Sequence, residues 1–468
     1  MSSANYQAAL VPCCRPDVVT QLLWQQKIRR PDMTFIANAP FLSLPELRKV
    51  QQNNWAQQRR HLSGSEFYRR HHPAAPFLFP LDLENIAELP LTDKDMLRTD
   101  QSVHPPFGSY LGFPSDRVVR LHRTSGTTGQ AMNIALSSAD TLMQAHIAGR
   151  SQSAAGLGPG DIVVHCLNYQ LWMGGLTDHL GLESTGALVV PYGSGGSELL
   201  IRTILDVGIN AISCTPSYPA RLEQVIAERF PELTPRELGL HKGFMGGEAG
   251  LDDPTFRQRL ETVWGMQAMN ANYGVSDFLC NFAGQCTDQT DLHFLALDVA
   301  LPELVDVNTS EPQPWRTGTE GELVLTNLAK DCQSLVRFRT GDLVRLTNTD
   351  KCQCGRTAPR FRVIGRTDEM IVVRGVNTYP SSVSAAVLSC PELNGEYRIR
   401  LTHKGPYDRL PLEAELNSNV YPSDHLLARL SRHIGRVLRL TVELELLAPG
   451  NLPRTKGKTK RVIKEYLS

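Results

Sequence analysis

The chain carries no excess of charge of either sign. Its 48 Lys and Arg offset 48 Asp and Glu, giving zero formal charge and a pI near 7.2. That balance argues against a general binder of nucleic acid or anionic membrane. No apolar run approaches the ~18 residues that span a bilayer. The first residues lack a basic segment followed by a sustained apolar stretch, so no secretory leader is expected. Internal repeats and low-complexity tracts are absent, and so is the GxxxxGK[ST] spacing of a Walker loop. The ten cysteines follow no regular spacing. In a chain this long, that suits free thiols in a reducing, cytoplasmic compartment, with room for a metal site, better than a disulfide framework.

What is present is ordinary for a globular protein: 41% hydrophobic and 21% charged residues. A length of 468 residues predicts roughly three units. Residues 1–45 carry Pro, Asn and the pair Cys13-Cys14 with weak periodicity and read as an extension. Residues 46–366 alternate strand-like and helix-like segments. Ala187 to Pro191 and Ala211 to Cys214 read as strands, and helical patterns run over 199–205 and 220–230. That alternation predicts βαβ units and a largely parallel sheet. Residues 367–468 read instead as a small α+β unit, with a hairpin at Met370–Gly375, helices near 381–389 and 423–437 and a strand at 441–446.

Five motifs punctuate this frame. Arg123-Thr124-Ser125-Gly126-Thr127-Thr128-Gly129 follows the strand-like Val118–Leu121. Small residues let backbone N–H groups approach a phosphate chain, and the hydroxyls add short donors. Asn272 to Asp277 ends in a carboxylate suited to a hard cation such as Mg²⁺. Arg337 to Asp342 sets an Asp in a tight turn, where its two oxygens can accept from paired hydroxyls. Gly365 to Met370 follows, and Leu452 to Arg461 is basic. A basic tail can read as a nucleic-acid arm, but one stretch without interleaved aromatics in a neutral chain argues against it. Cys352-Gln353-Cys354-Gly355, with Cys286 and His293 upstream, supplies the members of a Cys₃His zinc set, although not at a regular finger spacing.

Taken in this order, the motifs resemble the adenylate-forming enzymes, and most of all their phenylacetate–CoA ligase branch, from about residue 46 to the end. Pro106-Phe107-Gly108, Ser125 to Gly129, Leu171 to Gly175, Cys214 to Tyr218, Gly246-Gly247-Glu248, Tyr273 to Ser276, Arg366 to Pro380 and Pro453 to Lys458 carry the likeness. The resemblance implies an α/β fold: a large N-terminal adenylating domain of mixed sheets and helices, and a small mobile α+β C-terminal lid. It implies ATP-dependent activation of an aromatic carboxylic acid, then transfer to the thiol of coenzyme A. Transfer to a carrier-protein thiol or an amine, or a non-catalytic module on a degraded scaffold, remain alternatives, and the assembly state, a homodimer included, stays open.

The same resemblance implies residue roles. Ser125, Gly126, Thr127, Thr128 and Gly129 would cradle the ATP phosphates. Gly247, Glu248 and Ala249 would line the adenine, and Tyr273 would stack on it. Asp342 would bind the ribose with Arg366 close by. Asp277, where the family usually has Glu, would hold Mg²⁺. Asp368 would be the hinge and Lys458 the catalytic lysine. Tyr169, Trp172, Met173 and Tyr218 would line the acyl pocket, their alternative being plain core packing. His122 and Arg123 would face a polar substituent or form a surface salt bridge. Gln130 departs from the Lys often found there, which removes a phosphate-facing charge. The CQCGRT turn of Cys352 to Thr357 matches relatives that bind a structural metal, here through Cys286, His293, Cys352 and Cys354.

One expectation follows directly. A lysine serving only the adenylation step supplies charge where it develops on the α-phosphoryl group, and losing one such donor costs roughly 10²–10³ in rate. Lys458→Ala is expected to lose acid-dependent pyrophosphate release while still converting a supplied acyl-adenylate to thioester. Equal loss in both half-reactions, measured separately on folded protein, would reject this role.

Overall fold

The computed structural model describes residues 38–71, 82–124, 131–453 and 460–467. The loop Ser125 to Gln130, the lysine Lys458 and most of the 1–45 extension lie outside the described residues. Among these residues, one ladder of twelve strands forms the frame. Leu188–Pro191, Ile162–His165, Ala211–Cys214, Lys242–Gly246 and Gln267–Val275 lie side by side and parallel. From Gln267–Val275 the ladder continues antiparallel through Leu279–Cys286, Gln289–Phe294, Arg360–Arg366, Phe338–Asn348, Glu320–Asn327, Ala300–Val305 and Pro312–Gln313.

The parallel half follows from the alternation seen in the sequence. Ala211–Cys214 is buried at all four positions, as a strand covered on both faces must be. The helices Ser197–Val207 and Tyr218–Arg229 bury Leu200, Ile201, Ile204, Leu222 and Ile226 against it. Gly208, at φ 71°, ends the first of these helices in the left-handed conformation that glycine adopts without strain. The antiparallel half packs against the helix Leu44–Leu62, which starts at a Ser43–Glu46 capping box and buries Trp55 and Leu62. The chain before this helix is tied down as well: Thr357 donates from its backbone to the Pro40 carbonyl (2.9 Å) and from its hydroxyl to that of Leu42 (2.5 Å).

Beyond Arg366 a short 3₁₀ turn, Thr367–Glu369, leads into a second unit. Its four-stranded sheet runs in the order Val442–Leu447, Leu410–Leu416, Leu393–Leu401, Val462–Lys464, with the helices Pro380–Leu388 and Asp424–Leu438 packed on it. A separate hydrophobic core is drawn wholly from residues between Ile371 and Val462. The molecule is thus a large α/β domain of mixed sheet and helices followed by a small α+β domain.

His165 ends a central parallel strand and is fully buried. Its Nε2–H donates to the Gly175 carbonyl (2.9 Å) and its Nδ1 accepts from the Ser213 hydroxyl (3.0 Å), which fixes a neutral ring. Burial pushes its pKa down to about 4, against an ordinary value near ~6.5. Between these values the unfolded chain takes up a proton that the native ring refuses. The stabilisation is complete above about pH 6.5 and is lost as pH falls toward 4, on the order of 3 kcal/mol in all. The urea midpoint is expected to drop between pH 7 and 5, and more gently in His165→Gln. The same slope in both proteins would dismiss His165 as a source.

Candidate active site

The strand Gln267–Val275 joins the two halves of the sheet and presents successive side chains to opposite faces. Tyr273 meets Phe282 and Phe361 edge-on, at centroid distances of 5.3 and 5.4 Å. Its hydroxyl donates to Asp342 Oδ2 at 2.8 Å. Asp342 is only 6% exposed, and its other oxygen is ion-paired with Arg366, its register partner across the next strand. Arg366 Nε also reaches Asp368 Oδ1 at 2.9 Å. A continuous polar chain, Tyr273–Asp342–Arg366–Asp368, therefore runs from the sheet to the turn between the domains. Burial and the Asp342 charge hold the Tyr273 phenol well above its ordinary pKa. Burial works against the Arg366 cation, but the Asp342 and Asp368 carboxylates outweigh it. Gly341 makes the approach possible: its φ is +77°, and a Cβ there would lie 3.0 Å from Arg366 Nη2.

Gly247, Glu248 and Ala249 form the turn after Lys242–Gly246. Gly246 is pressed against the neighbouring strand, where a Cβ would fall 2.1 Å from the Asn272 carbonyl oxygen. The Glu248 charge acts on Arg461, the last residue of the basic C-terminal motif. Arg461 is anchored by Glu396 at 2.7 Å and stacks over Tyr397. The candidate adenine turn and the end of that motif thus share one electrostatic neighbourhood.

Asp277 is 7% exposed. Lys94 Nζ lies 2.7 Å from its Oδ2, while its Oδ1 is buried without a protein partner among the described residues. Beneath it, Lys330 is almost fully buried and donates to the backbone carbonyls of Asp277 (3.0 Å) and Phe278 (3.1 Å), which fixes the turn. Desolvation lowers the Lys330 pKa. One carboxylate oxygen remaining for a divalent cation is a fit for Mg²⁺, which typically takes few protein ligands beside substrate phosphates. Lys94 is not legible as part of this site in the sequence, because 183 positions separate it from Asp277.

The four acyl-pocket candidates divide. Tyr169 and Trp172 are half-buried. The Tyr169 hydroxyl pairs with His179 Nδ1 at 2.9 Å, and His179 Nε2 lies 3.1 Å from Glu183. The Trp172 indole lies over Gly174, where a Cβ would come within 3.0 Å of it. Met173 is 1% exposed in an apolar cluster with Ile134, Leu136 and Cys280. Tyr218 is also buried, within the core of the parallel half. In the helix Met173–Glu183, Asp178 is fully buried and accepts from Asn272 and Cys280. Burial pushes its pKa up to about 7. His122 is buried and donates from Nδ1 to the Leu171 carbonyl (3.3 Å), so it does not form a surface salt bridge.

Cys286 closes the strand Leu279–Cys286, and His293 sits in the next strand. Cys352 and Cys354 occupy a turn closed by the Cys352 N–H to the Arg356 carbonyl (2.9 Å), with Gly355 at φ +85°. The four donor atoms lie within 4.8 Å of one another. Cys286 Sγ is 4.0 Å from Cys352 Sγ, and Cys354 Sγ is 3.7 Å from His293 Nε2. Zn–S bonds of ~2.3 Å in a tetrahedron require ligand separations of about 3.8 Å, so the set fits zinc. His293 Nδ1–H donates to the Ala358 carbonyl (3.2 Å), which turns Nε2 toward the thiols. Burial opposes the Cys354 thiolate, but hydrogen bonds from Arg356 and Cys352 overcome it and lower its pKa.

Known proteins resemble this chain over most of its length. Residues 375–465 match the family model of the AMP-binding enzyme C-terminal domain. The chain is 35% identical to a phenylacetate–coenzyme A ligase of Thermus thermophilus, over 81% of this chain and 87% of that one. It is 31% identical to that of Escherichia coli, over 84% and 89%. Among solved structures, 2-hydroxyisobutyryl-CoA ligase in its postadenylation state, with an acyl-AMP bound, superposes with a TM-score of 0.84 at 28% identity, over 94% of both chains. In its thioesterification state, with 2-HIB-AMP and CoA bound, the same ligase gives 0.67 over 93% of both. The two domains here are therefore disposed more as in the postadenylation state. No helix among the described residues is long and apolar enough to cross a membrane. By relatives that match most of its length, the chain belongs to the phenylacetate–coenzyme A ligase-like adenylate-forming enzymes.

Proposed function

We propose that the chain activates an aryl or arylacetic acid with ATP and transfers the acyl group to coenzyme A. The observation that carries this reading is the Tyr273–Asp342–Arg366 chain, a buried carboxylate presented beside an aromatic ring. Such a pair suits an adenosine: the ring for the base, the carboxylate for two ribose hydroxyls. Gly247, Glu248 and Ala249 complete the adenine wall, and Ser125 to Gly129 receive the β- and γ-phosphates. The substrate carboxylate oxygen attacks the α-phosphorus, and the bond to pyrophosphate breaks. Lys458 supplies positive charge to this step, and Lys94 stands beside the Asp277 carboxylate. Mg²⁺ held at Asp277 would neutralise phosphate charge as pyrophosphate leaves. Rotation about Asp368 then exchanges lid faces, the CoA sulfur attacks the acyl carbonyl, and AMP departs. Half-buried Tyr169 and Trp172 suit a flat aromatic acyl group.

The test is a panel of carboxylic acids with ATP and Mg²⁺, read as pyrophosphate release and, with CoA, as thioester by mass. Release that requires an aromatic acid, with thioester formed, supports the proposal. Adenylate without thioester moves the acceptor to a carrier thiol or an amine. Asp342→Ala is expected to raise the ATP KM about tenfold to a hundredfold, as loss of charged hydrogen bonds implies, with the acid KM little changed. An unaltered ATP KM excludes the ribose role.

Cys286, His293, Cys352 and Cys354 form a structural zinc site in this proposal, since four protein ligands leave no open position for a substrate. Purified protein is expected to hold about one zinc per chain. Cys354→Ser is expected to lose the metal and melt earlier, because metal binding and folding are coupled. Folded Cys354→Ser molecules should retain adenylation. Protein prepared without chelator and free of zinc would end this idea.

A further inference from the structure

Asp178 is a buried carboxylate that no step above uses. It lies in the helix Met173–Glu183, whose first residue and the preceding Trp172 are acyl-pocket candidates. The groups that hold it are all neutral: the Asn272 carboxamide on Oδ2, the Cys280 thiol on Oδ1 at 3.8 Å, and the Asn281 carboxamide. His179, the next residue in the helix, is engaged instead by the Tyr169 hydroxyl and by Glu183.

This cluster stands between the two halves of the candidate site. On one side Cys280 packs with Met173, Ile134 and Leu136. Burial chiefly raises the pKa of the Tyr169 phenol, and the Asp178 charge adds to it. On the other side Asn272 is pressed against Gly246, where a Cβ would come within 2.5 Å of the Asn272 Cβ. Gly246 leads directly into the adenine turn Gly247–Ala249. Asp178, Cys280 and Asn281 are enclosed, whereas Asn272 is half-buried, like Tyr169 and Trp172. Asn272 is therefore the outward member of the cluster, set between the acyl-pocket candidates and the adenine wall.

The polarity of the cluster has one direction. An ionised carboxylate only accepts, so Asp178 takes the NH₂ end of the Asn272 amide. The Asn272 carbonyl oxygen is the end left to face away from Asp178, as an acceptor. Asn281 repeats the pattern. Its Nδ2 donates to the Ala271 carbonyl (3.2 Å), and its Oδ1 is buried without a partner among the described residues. Acceptors are in surplus here, and a buried acceptor left unpaired is costly. A group that brings an N–H or O–H to this wall satisfies it. We propose that the preferred acid is an aryl or arylacetic acid bearing an amino or hydroxyl substituent, which donates to the Asn272 carboxamide oxygen. Asn272 is then a specificity-determining residue, and Asp178 is a positioning residue that sets which end of the amide is presented. This assignment rests on the adenylation reading and narrows its substrate class.

The experiment uses the full-length enzyme at pH 8, above the value of about 7 to which burial raises the Asp178 carboxyl. Matched acids carrying hydrogen, amino, hydroxyl or methoxy at the ortho, meta or para position are compared by pyrophosphate release with ATP and Mg²⁺. At one position the amino or hydroxyl acid is expected to exceed its methoxy and unsubstituted counterparts by about tenfold or more in kcat/KM, because a site built around a hydrogen bond rejects analogues that lack it. Asn272→Leu is expected to bring that ratio to within about twofold of one. Asp178→Asn, whose own amide can meet Asn272 in either sense, is expected to narrow it as well. A purely structural fault lowers all the acids together and leaves the ratio in place. Asn272 is half-buried, so Asn272→Leu carries the test alone where Asp178→Asn does not fold. A wild-type ratio near one, or an unaltered ratio in folded Asn272→Leu, overturns the inference and leaves adenylation standing. An unaltered ratio in folded Asp178→Asn removes its positioning role. No pyrophosphate from any acid rejects the adenylation reading, and this inference with it.

Discussion

A carboxylate taken out of water is costly unless charge and hydrogen bonds replace its hydration. Asp342 meets that condition with Arg366 on one oxygen and Tyr273 on the other. The three residues come from three strands, Phe338–Asn348, Arg360–Arg366 and Gln267–Val275. The ion pair is therefore a constraint on the sheet as well as a feature of the site. Arg366 is the last residue of its strand and also holds Asp368. The same guanidinium thus spans the buried end of the large domain and the beginning of the interdomain turn. Any motion about Asp368 is felt by the group that holds the candidate ribose ligand.

The order in which the chain builds this arrangement explains what could be read in advance. Strands and helices of the parallel half repeat at short range, and each apolar run declares its own period. Strand 211–214 is found where the sequence places it, and helices 197–207 and 218–229 differ from it only at their ends. The motif residues Asp342, Arg366 and Asp368 were legible because glycine turns surround them. The CQCGRT turn drew attention to Cys352 and Cys354 in the same way. Their gathering with Cys286 and His293 rests on the antiparallel pairing of strands 279–286, 289–294 and 360–366.

The rest was hidden by sequence distance. Lys94 and Asp277 meet across most of the large domain, and neither residue's neighbours announce the other. Lys330 looks like any surface lysine, yet it lies fully buried beneath Asp277, spending its ammonium on two backbone carbonyls. Asp178 sits five residues into the helix Met173–Glu183 between Thr177 and His179, neither of which is its partner, and Asn272 reaches it from a strand 94 positions away. Met173 and Tyr218 show the opposite case. Both sit inside suggestive motifs, and both pack into hydrophobic clusters. Aromatic and thioether side chains serve a core and a pocket equally well, so residue type alone does not separate the two uses.

A twelve-strand ladder is long for an open sheet, and each of its two borders is an invitation to edge-to-edge association. One border is Leu188–Pro191, whose Leu188 is 55% exposed; the other is Pro312–Gln313. Both strands are short, four residues and two, and each contains a proline. Proline has no N–H to offer an incoming strand. At both borders of the sheet that carries the candidate site, the same residue type removes a donor from the edge, at positions about 120 apart in the sequence.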